Sequence, residues 1–372
     1  MKIQKDDASV FALAFLVEQG FSMVSFSVPL YARSLGATQA LVGAISSGFG
    51  LTYIISALFS YFLLKSLSAI RKKLLVLLCA YAFVVLFYLT IKTPAYLFFV
   101  RALEGFVLGL LFPLTDTLPA LYGEKRKSRL LSSYNTGWSV AYLTSPPLAS
   151  LVIVVFGFSW VFVLACALVV LSALFVLSFK TIEQKDPIVK VEKRSYTPIV
   201  FPAISSTFVV GVLLSLYPVY LVIHGFSYTL VGFLLSLYAL SRTVTFLFSH
   251  RIVSVLSVNA FGALGCVALF AVVIPYFELS VLSQLVMMAL MGFGVGALFY
   301  AGLSNALPEG GVARTNVFEV ALGAGLFLGP AVGGAVSVRE PKLIYLLSAV
   351  LPALYLLYLA IRRKVVDTTA FG

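Results

Sequence analysis

Six charged residues stand inside long apolar runs of this 372-residue chain: Glu18, Arg101, Glu104, Asp116, Arg242 and Glu319. A charge deep in hydrocarbon costs at least about 2.5–3.5 kcal/mol on insertion scales, so each of the six needs a physical reason to be there. Fully ionised, they sum to two positive and four negative charges. That surplus of acid calls for a counter-charge, either a proton or a cationic substrate. Arg101 and Glu104 are three residues apart, on one helical face and within reach of an ion pair. Asp116 projects from nearly the same face about 22 Å further along, at 1.5 Å per residue, so one stripe carries charge at two depths. Glu18 has no partner three or four residues away on its own helix. A carboxylate so placed in a low-dielectric site suits reversible protonation, which makes Glu18 the expected coupling residue. Arg242 and Glu319 fall toward the same ends of their runs and are expected partners, as a permanent pair or as a gate that breaks during transport.

Membrane-spanning helices must position these residues. Hydrophobic residues make up 61% of the chain and charged residues 11%, with a mean hydropathy of +1.06; soluble domains carry about 25% charged residues. A spanning helix needs roughly 20 apolar residues. Runs of that kind cover residues 10–31, 41–64, 74–92, 95–118, 131–155, 157–179, 199–222, 228–249, 258–276, 280–305, 315–337 and 341–361. The expected fold is therefore an all-α integral membrane protein with twelve transmembrane helices. The one long, charged, Pro-punctuated tract falls after the sixth run. It divides the chain into a first bundle (1–180), a cytoplasmic linker (181–198) and a second bundle (199–372). The first run contains Glu18 and meets Pro29 and Arg33 without a small-residue cleavage site, so it reads as a span and not a signal peptide.

The chain looks built twice. Pro29 to Gly43 (PLYARSLGATQALVG) reappears 189 positions later as Pro218 to Gly232 (PVYLVIHGFSYTLVG), with six of fifteen residues identical. Gly105 to Phe112 (GFVLGLLF) reappears as Gly292 to Phe299 (GFGVGALF) at an offset of 187. Two echoes in nearly one register argue for duplicated halves, which in a membrane protein suggests alternating access. In the eleventh run Gly325, Gly329 and Gly333 recur on one face, allowing a neighbouring helix to approach closely, and Pro330 should bend the helix. These four residues are expected to form a bending or sliding surface between the halves, with static packing the alternative.

Assigning Lys and Arg alternately to the two sides puts 20 of the 26 on the side of both termini, among them Arg71, Lys72, Lys73, Lys125, Arg126, Lys127 and Arg129. The opposite side holds only Arg33, Lys92, Arg339 and Lys342. By the positive-inside rule both termini are cytoplasmic. The net charge of +12 is then topological and not a nucleic-acid footprint. Cys79, Cys166 and Cys266 fall in separate spans and read as free, buried thiols. His224 and His250 lie at span ends as interfacial polar residues. No phosphate loop, nucleophile elbow or metal-ligand spacing occurs, so neither enzymatic chemistry, a cofactor nor a metal is expected. Short loops, four asparagines and no Asn-x-Ser/Thr sequon point weakly to a prokaryote.

With these features the chain resembles a compact, prokaryotic member of the major facilitator superfamily across all twelve spans. Arg101-x-x-x-Gly105 followed by Pro113 resembles that family's fourth-helix motif, whose Arg is associated with proton coupling. Gly325-x-x-x-Gly329-Pro330-x-x-Gly333-Gly334 resembles the glycine-proline motif of its antiporters, here on the eleventh helix instead of the fifth. The family's loop signature between helices two and three is reduced to Arg71-Lys72-Lys73. The resemblance implies two pseudo-symmetric six-helix bundles around a cavity lined by helices one, four, seven and ten. Helices seven and ten would then supply Tyr217, Tyr220, Gln284, Tyr300 and Asn305 as an aromatic, neutral wall facing the ionisable one. Such a site suits a lipophilic cation. The expectation is a monomeric secondary transporter in the cell membrane, a proton-coupled antiporter exporting small amphipathic or cationic molecules. In that scheme Glu18 exchanges the proton, Arg101 and Glu104 tune it, and Asp116 belongs to the same coupling set. An uptake carrier or uniporter for a sugar, amino acid or organic anion is one alternative; a non-transporting sensor or lipid-handling protein is another.

Overall fold

The computed structural model describes residues 5–65, 70–118, 124–177, 195–306 and 311–370, and every regular element in them is helical. They are α1 (Lys5–Ser34), α2 (Gln39–Lys65), α3 (Ile70–Phe87), α4 (Pro94–Thr117), α5 (Glu124–Phe156), α6 (Phe158–Leu177) and α7 (Thr197–Ser215). Then follow α8 (Tyr217–Ile223), α9 (Tyr228–Val255), α10 (Val258–Leu269), α11 (Ile274–Phe277), α12 (Val281–Ala306), α13 (Gly311–Ser337) and α14 (Leu343–Ala370). The seventh span is α7 with α8, which break at Leu216 just before Pro218, a residue with no N–H to continue the helical ladder. The ninth is α10 with α11, joined by a 3₁₀ turn. Twelve spans long and apolar enough to cross a membrane result, within a few residues of the sequence limits. The expected linker lies mostly outside the described residues, as do the side chains of Lys125, Arg126 and Lys127, and helix already resumes at Thr197.

Large apolar side chains such as Phe99, Val170, Leu247 and Phe277 point outward, where only lipid could cover them. Inside the first six spans, α1 packs on α5 and α6, α2 on α4, and α3 on α4 and α6. In the second six, α7 packs on α12 and α13, α9 on α12, and α10 on α12 and α14. The halves meet chiefly through α2 on α13 and α5 on α9, with a smaller contact of α1 on α7 and α8.

The duplication read from the sequence is physical. Gly36 and Gly225, equivalent at the 189-residue offset, turn the corners after the first and seventh spans at φ +90° and +89°. Gly43 of α2 faces Pro330 and Gly334 of α13, and its equivalent Gly232 of α9 faces Pro146 and Ser150 of α5. Gly105 lies on Phe49 and Thr52, while Gly292 lies on their equivalents Tyr238 and Ser241.

The glycine stripe of α13 is where expectation and structure part. Gly325, Gly329 and Gly333 all face α7, against Phe208, Val212 and Leu216, inside their own half. Their four-residue spacing puts them on the face of α13 turned away from α2. The contact between halves uses Gly323, against Tyr53 and Ile54, and Gly334, against Gly43. Of the four residues expected at the sliding surface, Pro330 alone reaches across, its carbonyl lying over Gly43. The cysteines are all free, but only Cys266 is fully buried; Cys79 is exposed and Cys166 partly so.

The corner glycines supply a test. A left-handed backbone costs an L side chain about 1–2 kcal/mol, and nothing lies within 4 Å of a Cβ placed on Gly36 or Gly225. Gly36→Ala and Gly225→Ala should therefore lower thermal stability by similar amounts, about 1 kcal/mol each. Gly43→Val should cost more, by forcing α2 off α13. Equal stability of all three with wild type would contradict the assigned corner and contact.

Candidate functional site

Glu18 lies on α1 at 1% exposure. Ser22, one turn further on, donates its hydroxyl to Glu18 Oε1 at 2.6 Å, so the carboxylate does have a partner on its own helix, a neutral one. Trp138 of α5 stands within hydrogen-bonding reach, and Arg242 and Asp116 are its charged neighbours. None of these contacts neutralises Glu18 by a direct ion pair among the described residues.

Arg101 and Glu104 behave differently. Arg101 Nη1 meets Glu104 Oε2 at 2.6 Å, as their spacing on α4 predicts, and Nη2 donates to Ser25 at 3.0 Å. The guanidinium also lies 4.4 Å from the ring centre of Phe49. Glu104, at 0% exposure, accepts further hydrogen bonds from Tyr88 at 2.5 Å and Tyr81 at 3.4 Å. A buried ion pair holds only when its remaining hydrogen-bonding capacity is filled, and this one's is. Arg101 is thus committed to Glu104 and adds no free positive charge to the centre.

Two more carboxylates stand toward the side of the termini. Asp116, at the end of α4, accepts from Tyr134 of α5 at 2.5 Å. It is solvent-exposed. Glu319 of α13 accepts from Tyr53 of α2 at 2.9 Å, a hydrogen bond that joins the halves, and has Asp116 as its charged neighbour. Glu18, Asp116 and Glu319, scattered over the sequence, therefore form one connected acidic group.

The expected Arg242–Glu319 pair is not formed. Arg242 lies halfway along α9, whereas Glu319 lies near the start of α13, and Tyr53 takes Glu319 instead. Arg242, at 6% exposure, sits among four rings, its guanidinium carbon 4.6 Å from the centre of Trp138, 5.3 Å from Tyr142, 5.2 Å from Phe246 and 5.1 Å from Phe299. Its Nε has no hydrogen-bond partner among the described residues, and neither has the hydroxyl of the adjacent Tyr238. Cation–π contacts contribute about 0.5–2 kcal/mol each, and a buried unsatisfied donor costs about 1–3 kcal/mol. Among the described residues Arg242 thus lacks the direct ion pair that fixes Arg101.

The expected aromatic wall of helices seven and ten is also corrected. Tyr217 donates to Gln284 at 2.9 Å inside the second half, where both are buried. Tyr220 packs edge-on against Tyr345, Tyr300 edge-on against Phe261 of α10, and Asn305 bonds back to Ala301 of its own helix. In apolar spans of even hydropathy nothing in the pattern says which face turns inward. The rings that face the charges are Trp138, Tyr142, Phe246 and Phe299, with Tyr53 and Tyr134 on the acids. The repeat held one signal for Tyr53, which occupies the place equivalent to Arg242 at the 189-residue offset.

Between Ser22 and Ser25 the halves leave a narrow cavity of ≈ 10 Å³, lined also by Phe21, Tyr142, Leu214 and Tyr238. That volume is at the threshold for one water molecule. The cavity's exposed surface is apolar, although Ser22, which donates to Glu18, and Ser25, which accepts from Arg101, stand at its wall. Among the described residues no group of His, Cys, Asp and Glu has the arrangement of a metal site.

A family model described as "Major Facilitator Superfamily" matches residues 10–315. Among solved structures, a POT family transporter in complex with 5-aminolevulinic acid is similar at a TM-score of 0.78 with 12% identity, covering 95% of this chain and 95% of that one. The nucleoside transporter NupG is similar at 0.73 with 13% identity, covering 97% and 100%. A D-xylose-proton symporter gives 0.71 with 13% identity, covering 95% and 96%. At these identities the likeness is one of fold. No curated protein shows significant similarity to the sequence.

The contrast between the two kinds of contact is measurable. Glu104→Gln leaves Arg101 buried without its anion and should cost about 3–5 kcal/mol. Tyr53→Phe removes one hydrogen bond between the halves and should cost only about 1 kcal/mol. Thermal unfolding in detergent reads both; a Glu104→Gln variant as stable as wild type would contradict the structural role given to the pair.

Proposed function

Because this chain belongs to the major facilitator superfamily, a family of membrane transporters, we propose that it is a secondary active transporter that exports small amphipathic or cationic molecules in exchange for protons. The observation that carries this reading is the charge balance where the halves meet. Asp116 is a charged neighbour of both Glu18 and Glu319, Arg101 is committed to Glu104, and Arg242 stands beside Glu18 without pairing with it. A buried carboxylate without an ion pair, as Glu18 is, is costly in low dielectric, so the group takes up a proton or a cation.

In this reading residues 1–180 and 199–372 are the bundles that rock about the site, 181–198 links them, and both termini face the cytoplasm of a cell-membrane protein. Glu18 is the residue at which proton and substrate exclude one another, because it sits deepest and has no ion-pair partner. Asp116 passes protons between Glu18 and solvent. Arg101 and Glu104 hold Ser25 in place beside the cavity, and the Tyr53–Glu319 hydrogen bond opens and closes with the halves. One observation favours a second reading: Arg242 Nε and the Tyr238 hydroxyl, both unpartnered beside the cavity, could together hold a carboxylate, as an uptake carrier for an amino acid or organic anion would require.

Purified protein in proteoliposomes tests the choice. A pH gradient should drive tetraphenylphosphonium uphill with wild type, and Glu18→Gln should lose at least about tenfold of that flux while still exchanging labelled for unlabelled cation. Flux of a neutral or anionic solute that ignores both the gradient and Glu18 would replace this reading with the second.

A further inference from the structure

Arg242 occupies a box. Trp138 and Tyr142 come from α5 of the first half, Phe246 from α9 and Phe299 from α12 of the second, and all four rings lie within 4.6–5.3 Å of the guanidinium carbon. A structural arginine in a membrane protein is normally fixed by hydrogen bonds, as Arg101 is by Glu104 and Ser25. Arg242 has neither an ion pair nor a partner for Nε among the described residues. It is therefore held chiefly by ring faces, with Glu18 as its charged neighbour. Those two features, several aromatic faces and a nearby carboxylate that makes no direct ion pair, are what a receptor for a delocalised or quaternary cation consists of. The four rings are also only part-buried, whereas a cage built solely to seat its own arginine would be expected to close over it.

We propose that the box of Trp138, Tyr142, Phe246 and Phe299 is a binding site for a soft organic cation, a guanidinium or quaternary ammonium group, and that Arg242 fills it when no such ligand is present. The arginine is a stand-in for the substrate. Its long, flexible stem lets the head group withdraw when a ligand cation competes for the rings, and Glu18 serves as counter-charge to either one. Because two walls belong to each half, a cation in the box touches both, and exchange of ligand for Arg242 bears directly on how α5 sits against α9. The inference deepens the reading of the protein as a cation transporter and rests on it for substrate class.

The chain has two tryptophans, and Trp160→Phe leaves Trp138 as the single fluorescent reporter inside the box. In that background Arg242→Ala empties the box, and millimolar guanidinium should quench Trp138 saturably, at least about tenfold more tightly than with Arg242 in place, and restore part of the lost thermal stability. Urea, the uncharged isostere, should do neither. Equal responses to guanidinium and urea, or no gain over the parent, would overturn the proposal. Should Arg242→Ala fail to fold, Phe299→Leu keeps the arginine and removes one wall. It should weaken tetraethylammonium binding at least about tenfold, and unchanged affinity would count against the box. Binding as expected without flux of any organic cation in proteoliposomes sinks the transport reading and leaves the box standing. Robust cation flux with box variants of unchanged affinity does the reverse.

Discussion

A carboxylate inside a bilayer is tolerable only when something positive stands against it, and this protein places four within its spans. One of the four, Glu104, is compensated: Arg101 lies three residues away on the same helix, and two tyrosine hydroxyls also donate to the carboxylate. Of the other three, Glu18 has Arg242 as a charged neighbour, and none of them makes a direct ion pair among the described residues. Everything specific about the site follows from that imbalance. Tyr134 and Tyr53 each donate to one acid and Ser22 donates to the third, neutral donors that leave the charges uncancelled.

Duplication explains where the imbalance sits. The two halves reuse one set of contacts, with left-handed glycines at equivalent corners and small residues at equivalent crossings, so each half presents its second helix to the other half's fifth. Function enters where the copies differ. Tyr53 and Arg242 hold equivalent places, yet one donates a hydrogen bond to Glu319 across the α2–α13 contact and the other presses a cation onto Trp138 across the α5–α9 contact. The scaffold is symmetric and the chemistry on it is not.

The sequence disclosed what depends on local spacing. Twelve spans were legible because length and hydropathy suffice to identify a span, and the Arg101–Glu104 pair because three residues on a helix bring side chains together. The repeat was legible because glycines at tight corners and close crossings admit few substitutes. Contacts between helices were not. Glu319 meets Tyr53 and Glu18 neighbours Arg242 across more than two hundred residues, and no periodic stripe marks the inward face, because lipid is as apolar as the packed interior. The same blindness placed Tyr300 and Asn305 beside a cavity they do not line, and set Gly325, Gly329 and Gly333 between the halves when they face α7.

The central claim is that a proton and a cation compete for the group around Glu18. Adding tetraphenylphosphonium to purified protein in lightly buffered detergent solution tests it without a membrane or a gradient, by counting the protons released as the cation binds. Wild type should release about one proton per cation bound near neutral pH, and Glu18→Gln should bind with little or no release. Cation binding with no proton release in wild type, or with the same release in Glu18→Gln, would contradict the account.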